Sequence, residues 1–228
     1  MSARPPISTP FPSDRNDMFF VLDGLDGAGK STQVERLSRW MQDAGYSVVT
    51  CRDPGSSSLG NQVRQLVLQK SEVAIDPRSE MLLFMVARCQ LVQEIIRPAL
   101  AAGNVVLCDR FQMSTLVYQG HGGDVPLDEI RAVGQIATGG LEATHTFVLD
   151  LPPAVAMSRI SRGLDRMESR GLHYLERVRN GFLAEARRAA DRCTLIDAAQ
   201  PAEEIAAEIR QHAQRLLAGQ RTQADPSR

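Results

Sequence analysis

The chain has 228 residues, of which 43% are hydrophobic, with 26 Lys and Arg against 27 Asp and Glu; that suffices for one α/β domain with a buried core and is short for two. A formal net charge of −1 gives no electrostatic reason to expect nucleic acid or an acidic membrane surface as partner, so small ligands fit better. No window approaches the roughly 18 to 20 consecutive apolar residues of a membrane span, and the N-terminus lacks the apolar stretch of a secretory signal. Cys51, Cys89, Cys108 and Cys193 are scattered and make no CxxC pair, which reads as reduced core thiols of a cytoplasmic protein.

Residues 1–17, MSARPPISTPFPSDRND, are rich in Pro and Ser and read as a disordered leader. MFFVLD then forms a continuous apolar run that stops at glycine, the pattern of a strand buried on both faces. From Ser31, Val34, Leu37 and Met41 keep helical spacing until Gly45. SVVTC reads as a second strand, and Leu59, Val63, Leu66 and Val67 mark a short helix. A long helix is expected from about Ser79, as its N-cap, to Ala102, with Pro98 kinking its end.

NVVLCD is a further buried strand ending in an acid, LDEIRAVGQIA is helical, HTFVLDL is a strand and PAVAMSRIS starts another helix. An Arg-dense segment from Arg159 to Arg192 leads to a last strand, CTLID, and a closing helix from Pro201 to about Leu217; residues 218–228 read as a flexible tail. This alternation predicts a five-stranded parallel sheet covered by helices on both faces, with ligands at the carboxyl ends of the strands. Residues 18–217 are taken as that one domain.

The first strand runs straight into GLDGAGKS, which satisfies GxxxxGK[ST] from Gly24 through Gly29 and Lys30 to Ser31. Glycines let the backbone curl so that its N–H groups face phosphate oxygens, and the following helix adds its positive dipole end. The α/β class is therefore that of the P-loop NTPases, with Gly24, Leu25, Asp26, Gly27, Ala28, Gly29, Lys30, Ser31 and Thr32 forming the ATP cradle. Lys30 reaches the β and γ phosphates in such a loop, and the Ser31 hydroxyl binds Mg2+. Lys30 is one of only two lysines; an ammonium on a flexible stem suits this cradle better than a guanidinium. Asp109 closes its strand in the manner of a metal-holding acid. Acids are common at strand ends, and it is the loop beside it that gives this one meaning.

The acceptor must be read elsewhere. No guanine-reading NKxD stretch is present, and Arg52, Arg88, Arg110 and Arg166 are spaced as a site with two phosphate ends would want them. A P-loop kinase for another nucleoside monophosphate or a deoxynucleoside remains open on these residues, as does a non-catalytic nucleotide-binding protein.

From about Met18 to Leu217 the chain resembles the bacterial thymidylate kinases. GLDGAGKST, RDPG, LLFMVARCQLV, IIRPALAAGNVVLCDR, STLVYQG, FVLDL, GLDRME, ERVRNGF and IDAAQP match in order and spacing. The resemblance implies transfer of the γ-phosphoryl of ATP to dTMP, giving dTDP for dTTP synthesis, with Mg2+, in a cytoplasmic homodimer that pairs through helices. It further implies that Asp26 meets the acceptor's 3′-hydroxyl, that Arg52 and Arg110 clamp its phosphate, that Phe84 stacks on thymine, and that Arg88 meets the base edge. Phe84 and Arg88, four apart, share a helix face. Ser114, Tyr118 and Gln119 match the block bordering base and sugar.

Some members of the family carry a catalytic arginine in the loop directly after the acid. Here Gly27 stands there, so a lid at about 159–170 must supply the cation. Arg166 is the first candidate and Arg162 the second, with Arg159 also in the lid; Glu168 orders the lid or meets the metal. The family's EPGG block is DPGSSS from Asp53 to Ser58, and GGLEATHT before FVLDL lacks the usual proline and aspartate. The first departure bears on clamping by Arg52.

Overall fold

In the computed structural model, residues 18–69, 74–161, 163 and 165–224 are described; the expected leader and Arg162 lie outside them. Five strands form one parallel sheet: β1 (Phe19–Gly24), β2 (Val48–Arg52), β3 (Val105–Asp109), β4 (His145–Asp150) and β5 (Cys193–Asp197), in the order β2-β3-β1-β4-β5. The long apolar runs in the sequence become strands because both faces of the sheet are covered. In β1, Phe20 and Leu22 enter a core with Leu37, Met41, Val178, Phe182, Ile205 and Ile209, while Phe19 and Val21 enter another with Leu91, Ile96, Leu100 and Val106. This is the two-residue period of a strand read on two filled faces.

The helices are α1 (Lys30–Asp43), α2 (Ser58–Leu68), α3 (Pro77–Leu91), α4 (Arg97–Ala101), α5 (Gln112–Thr115), α6 (Leu127–Thr138), α7 (Pro153–Ser158), α8 (Leu172–Arg188) and α9 (Ala202–Ala224). Two expectations need correcting. The cap of α3 is Asp76, whose carboxylate accepts from the N–H groups of Arg78 and Ser79, with Pro77 at the first helical position. The long helix ahead of Pro98 also loosens into a π turn at Val92–Ile96 before continuing as α4. A prolyl nitrogen donates nothing to the previous turn, and the chain meets it by changing hydrogen-bond register rather than ending.

A second π turn, Leu116–His121, follows α5 and carries Tyr118 and Gln119. Because β1 is linked to β2 past the intervening β3, the carboxyl ends of β1 and β3 form the crevice where such sheets bind ligands. Leu22 and Arg52 both lie in register with Asp109 there. Among the described residues no helix is long and apolar enough to cross a membrane.

Candidate active site

The phosphate loop leaves β1 at Gly24 and enters α1 at Lys30. Lys30 is buried, donates from Nζ to the Leu25 carbonyl at 2.8 Å and lies 3.6 Å from Asp26 Oδ1. Burial, followed by the charge of Arg110, pushes its ammonium below the usual lysine range, although Asp26, Asp109 and Asp23 pull the other way.

Ser31 Oγ donates to Asp109 Oδ2 at 2.7 Å, and Arg52 Nη2 donates to the same two oxygens at 3.1 and 3.0 Å. Burial alone would raise the Asp109 carboxyl, but Lys30, Arg110, Arg52 and the Ser31 hydroxyl outweigh it and hold it below the ordinary range. Asp109 Oδ1 is buried with no hydrogen-bond partner among the described residues. A carboxylate oxygen left open beside a serine hydroxyl fits a hard divalent cation.

Arg110 is the hinge of the site. Its backbone sits at φ 71°, a left-handed conformation few non-glycine residues adopt. That turn sends its side chain back over the loop. Nη1 donates to the Gly24 carbonyl at 2.9 Å and Ser114 Oγ at 3.0 Å, and Nη2 donates to Asp26 Oδ1 at 2.8 Å and Tyr118 Oη at 3.3 Å. Ser114 in turn donates to the buried Asp23 at 2.6 Å.

One pocket collects Asp26, Arg52, Phe84, Arg88, Arg110, Ser114, Tyr118 and Gln119, all eight residues expected to bind the acceptor. Its far wall is the face of α3. Arg88 is only 1% exposed; its Nε pairs with Asp53 Oδ2, its Nη2 donates to Thr115 Oγ1 at 2.9 Å and the Phe111 carbonyl at 3.1 Å, and it lies 5.5 Å over the Phe111 ring. So many partners are what a buried guanidinium needs. They also hold it rigidly beside Phe84.

Sequence reasoning missed Asp53, which anchors Arg88, and Arg64, which lines the same pocket and donates to the Pro54 carbonyl at 3.1 Å. Burial, then Arg52 and Arg110, lower the Arg64 pKa. Cations crowded in this way favour an anionic ligand. The signal for Asp53 was the altered DPG turn itself; Arg64 sits on a short helix with no motif around it. Across the loop, a separate groove is lined by Ala28, Gly29, Thr32, Arg159, Gln200 and Pro201 among others. Two cavities thus flank one phosphate cradle.

The sequence pattern of the family described as Thymidylate kinase matches residues 22–209. The chain belongs to the thymidylate kinase family. It is 40% identical over 204 residues to the thymidylate kinase of Rhodopirellula baltica, covering 90% of this chain and 81% of that one. Identity to the Deinococcus radiodurans thymidylate kinase is 43% over 194 residues, covering 84% and 94%. The crystal structure of thymidylate kinase from Ehrlichia chaffeensis superposes with a TM-score of 0.72 at 28% identity, covering 87% of this chain and 98% of that chain.

Within the thymidylate kinase frame, the departures have physical readings. Gly27 has φ 84°, and a Cβ there would lie 2.2 Å from the Ala156 carbonyl, so a loop arginine at this position would require the loop or α7 to shift. In the DPGSSS turn, Ser56 takes the left-handed conformation (φ 62°) that a glycine would take without strain, and its Oγ accepts the Arg52 N–H at 2.9 Å. The turn is therefore kept without its second glycine, Ser57 caps α2 by accepting from Gly60 N, and Arg52 still borders the pocket.

In the segment expected to act as a lid, the Arg166 guanidinium pairs with Glu80 and donates from Nε to the Val67 carbonyl at 2.8 Å, and the Arg166 backbone N–H donates to the Leu68 carbonyl at 3.1 Å. Arg159 donates to the Ala198 carbonyl at 3.0 Å. The Asp165 side chain accepts from the N–H groups of Met167 and Glu168, and Glu168 accepts from the Asp165 N–H, which closes the turn that leads into Glu168.

Proposed function

We infer that this chain is a thymidylate kinase that transfers the γ-phosphoryl group of ATP to dTMP. The observation that carries this reading is the single pocket whose loop end holds Asp26 and Arg110 and whose far end holds Phe84, Arg88 and Gln119. Cations and an open loop suit a phosphate; an aromatic ring beside a fixed guanidinium and an amide suits a pyrimidine.

An oxygen of the acceptor phosphate attacks the γ phosphorus, the bond from that phosphorus to its β-bridging oxygen breaks, and ADP departs with the electron pair. The acceptor is already a nucleophile, so the protein's part is alignment and charge neutralisation. Arg110 and Arg52 hold the acceptor phosphate, Asp26 orients the sugar hydroxyl, and Lys30 with the loop amides holds the donor's β and γ phosphates. Ser31 and Asp109 would hold a magnesium ion, which would supply charge neutralisation on those phosphates. The groove carrying Gln200 and Pro201 takes the ATP base. Because Arg166 is engaged by Glu80, we assign the lid cation that meets the γ phosphate to Arg162.

The same reading includes a cytoplasmic homodimer; Leu82 and Val86 of α3 and Leu66 of α2 are exposed and supply an apolar helical face for pairing. The test is to incubate purified protein with MgATP and a panel of nucleoside monophosphates and follow ADP release. Preference for dTMP supports the reading, preference for another monophosphate redirects it, and no turnover with any acceptor refutes it.

A further inference from the structure

A single carboxylate joins three walls of the acceptor pocket. Glu80 lies in the first turn of α3, one turn before Phe84 and two before Arg88, and is 1% exposed. Side chains of this kind are almost never so buried unless paired. Its Oε1 accepts from Gln119 Nε2 at 2.8 Å, while its Oε2 accepts from Arg170 Nη2 at 2.7 Å and from Arg166 Nη2. Arg166 is tied in addition to the end of α2 through Val67 and Leu68. Arg170 lies 5.0 Å over the Tyr174 ring, whose hydroxyl donates to the Tyr118 carbonyl at 2.9 Å. The face of α3, the π turn of Tyr118 and Gln119, and the base of the lid therefore converge on one acid.

A carboxylate only accepts. The end of the Gln119 amide turned to Glu80 must be its NH2, which leaves the carbonyl oxygen as the group available to the cavity that Gln119 lines. An acceptor at that place complements a pyrimidine whose ring nitrogen carries a hydrogen. Against a cytosine ring, whose corresponding nitrogen has a lone pair, it sets acceptor against acceptor.

We propose that Glu80 is a positioning residue that fixes the polarity of Gln119, so that the pocket prefers a pyrimidine with a ring N–H, and anchors the lid base through Arg166 and Arg170. This rests on the reading of the pocket as a pyrimidine monophosphate site.

The test compares kcat and KM for dTMP and dCMP in the wild type, in Glu80→Gln and in the double variant Glu80→Gln with Gln119→Glu. In Glu80→Gln the two arginines keep the carbonyl at position 80, its NH2 faces Gln119, and the Gln119 amide turns to present its own NH2 to the cavity. The preference for dTMP over dCMP in kcat/KM then falls by roughly tenfold or more, carried by KM for dTMP more than by kcat. In the double variant, the carboxylate introduced at position 119 accepts from the amide introduced at position 80 and again offers an oxygen to the base, and the preference returns. A merely structural role predicts equal losses for both acceptors and no recovery. That result, or a preference within about twofold of wild type in Glu80→Gln, overturns the proposal.

Should Glu80→Gln fail to fold, the wild type decides: the Gln119 side-chain NH2 protons, followed by NMR, stay protected from solvent exchange with and without dTMP. Rapid exchange in both states overturns the proposal. Wild-type protein inactive on every pyrimidine monophosphate sinks the reading of the pocket, and Glu80's role with it; wild type selective for dTMP alongside an unchanged Glu80→Gln sinks the role of Glu80 alone.

Discussion

Arg110 Nη2 and Asp26 Oδ1 meet at 2.8 Å where the phosphate loop opens into the acceptor pocket. Burial would lower the pKa of Arg110, but Asp26, Asp23 and Asp109 more than offset it and raise it well above the ordinary value. The guanidinium is thus a permanent cation aimed by a strained backbone. Arg110→Ala should lower kcat/KM for the acceptor by about 100-fold, some 3 kcal/mol of lost charge-assisted bonding, with little change in KM for ATP. Steady-state kinetics in both substrates checks this; a loss confined to KM for ATP would move Arg110 to the donor side.

Lys30 carries a charge that the fold disfavours. Its folded pKa lies below the unfolded one, so the unfolded chain binds more protons as pH rises toward the lysine range, and stability climbs with pH in that window. Replacing the ammonium should therefore help the fold while harming catalysis: Lys30→Met is expected to lower kcat by roughly tenfold or more and to raise Tm at neutral pH. Thermal melts alongside turnover assays check the pair of effects, and a lower Tm would contradict the electrostatic half.

Gly27 has no room for a side chain. A Cβ 2.2 Å from the Ala156 carbonyl forces the loop or α7 to move, and Gly27→Ala should cost about 2 kcal/mol or more of stability together with most ATP affinity. Denaturant unfolding and nucleotide titration measure both; tight ATP binding in this variant would mean that the loop yields easily.

Much of this was legible in the chain. β1 and β3 are continuous apolar runs because both sheet faces are covered, and the loop after β1 is fixed by a motif whose glycines have stereochemical reasons. Phe84 and Arg88, singled out by the family resemblance, do line one pocket, and their separation of four puts them on one helix face. What was hidden depends on distant partners. Glu80 meets Arg166 and Arg170 across separations of 86 and 90 residues, and no local pattern says which arginine of a basic segment a carboxylate will take. The π turn before Pro98 was equally hidden, since a shift in hydrogen-bond register leaves the apolar spacing almost unchanged.

Arg166 and Arg162 should separate in kinetics. With its guanidinium held by Glu80 and Val67, Arg166→Ala is expected to weaken acceptor binding and lower Tm, leaving kcat within about tenfold of wild type. Arg162→Ala should lower kcat by ~10³-fold, the scale of an arginine that meets a transferring phosphoryl group. Single-turnover measurements on both variants decide; the reverse ranking would return Arg166 to the γ phosphate.

A crystal structure with ADP and dTMP bound bears most directly on the whole proposal. The dTMP phosphate is expected within hydrogen-bond reach of Arg110, its ring against Phe84, and its base edge toward Arg88 and Gln119. A dTMP bound the other way round, or bound outside the pocket that these residues line, would contradict it.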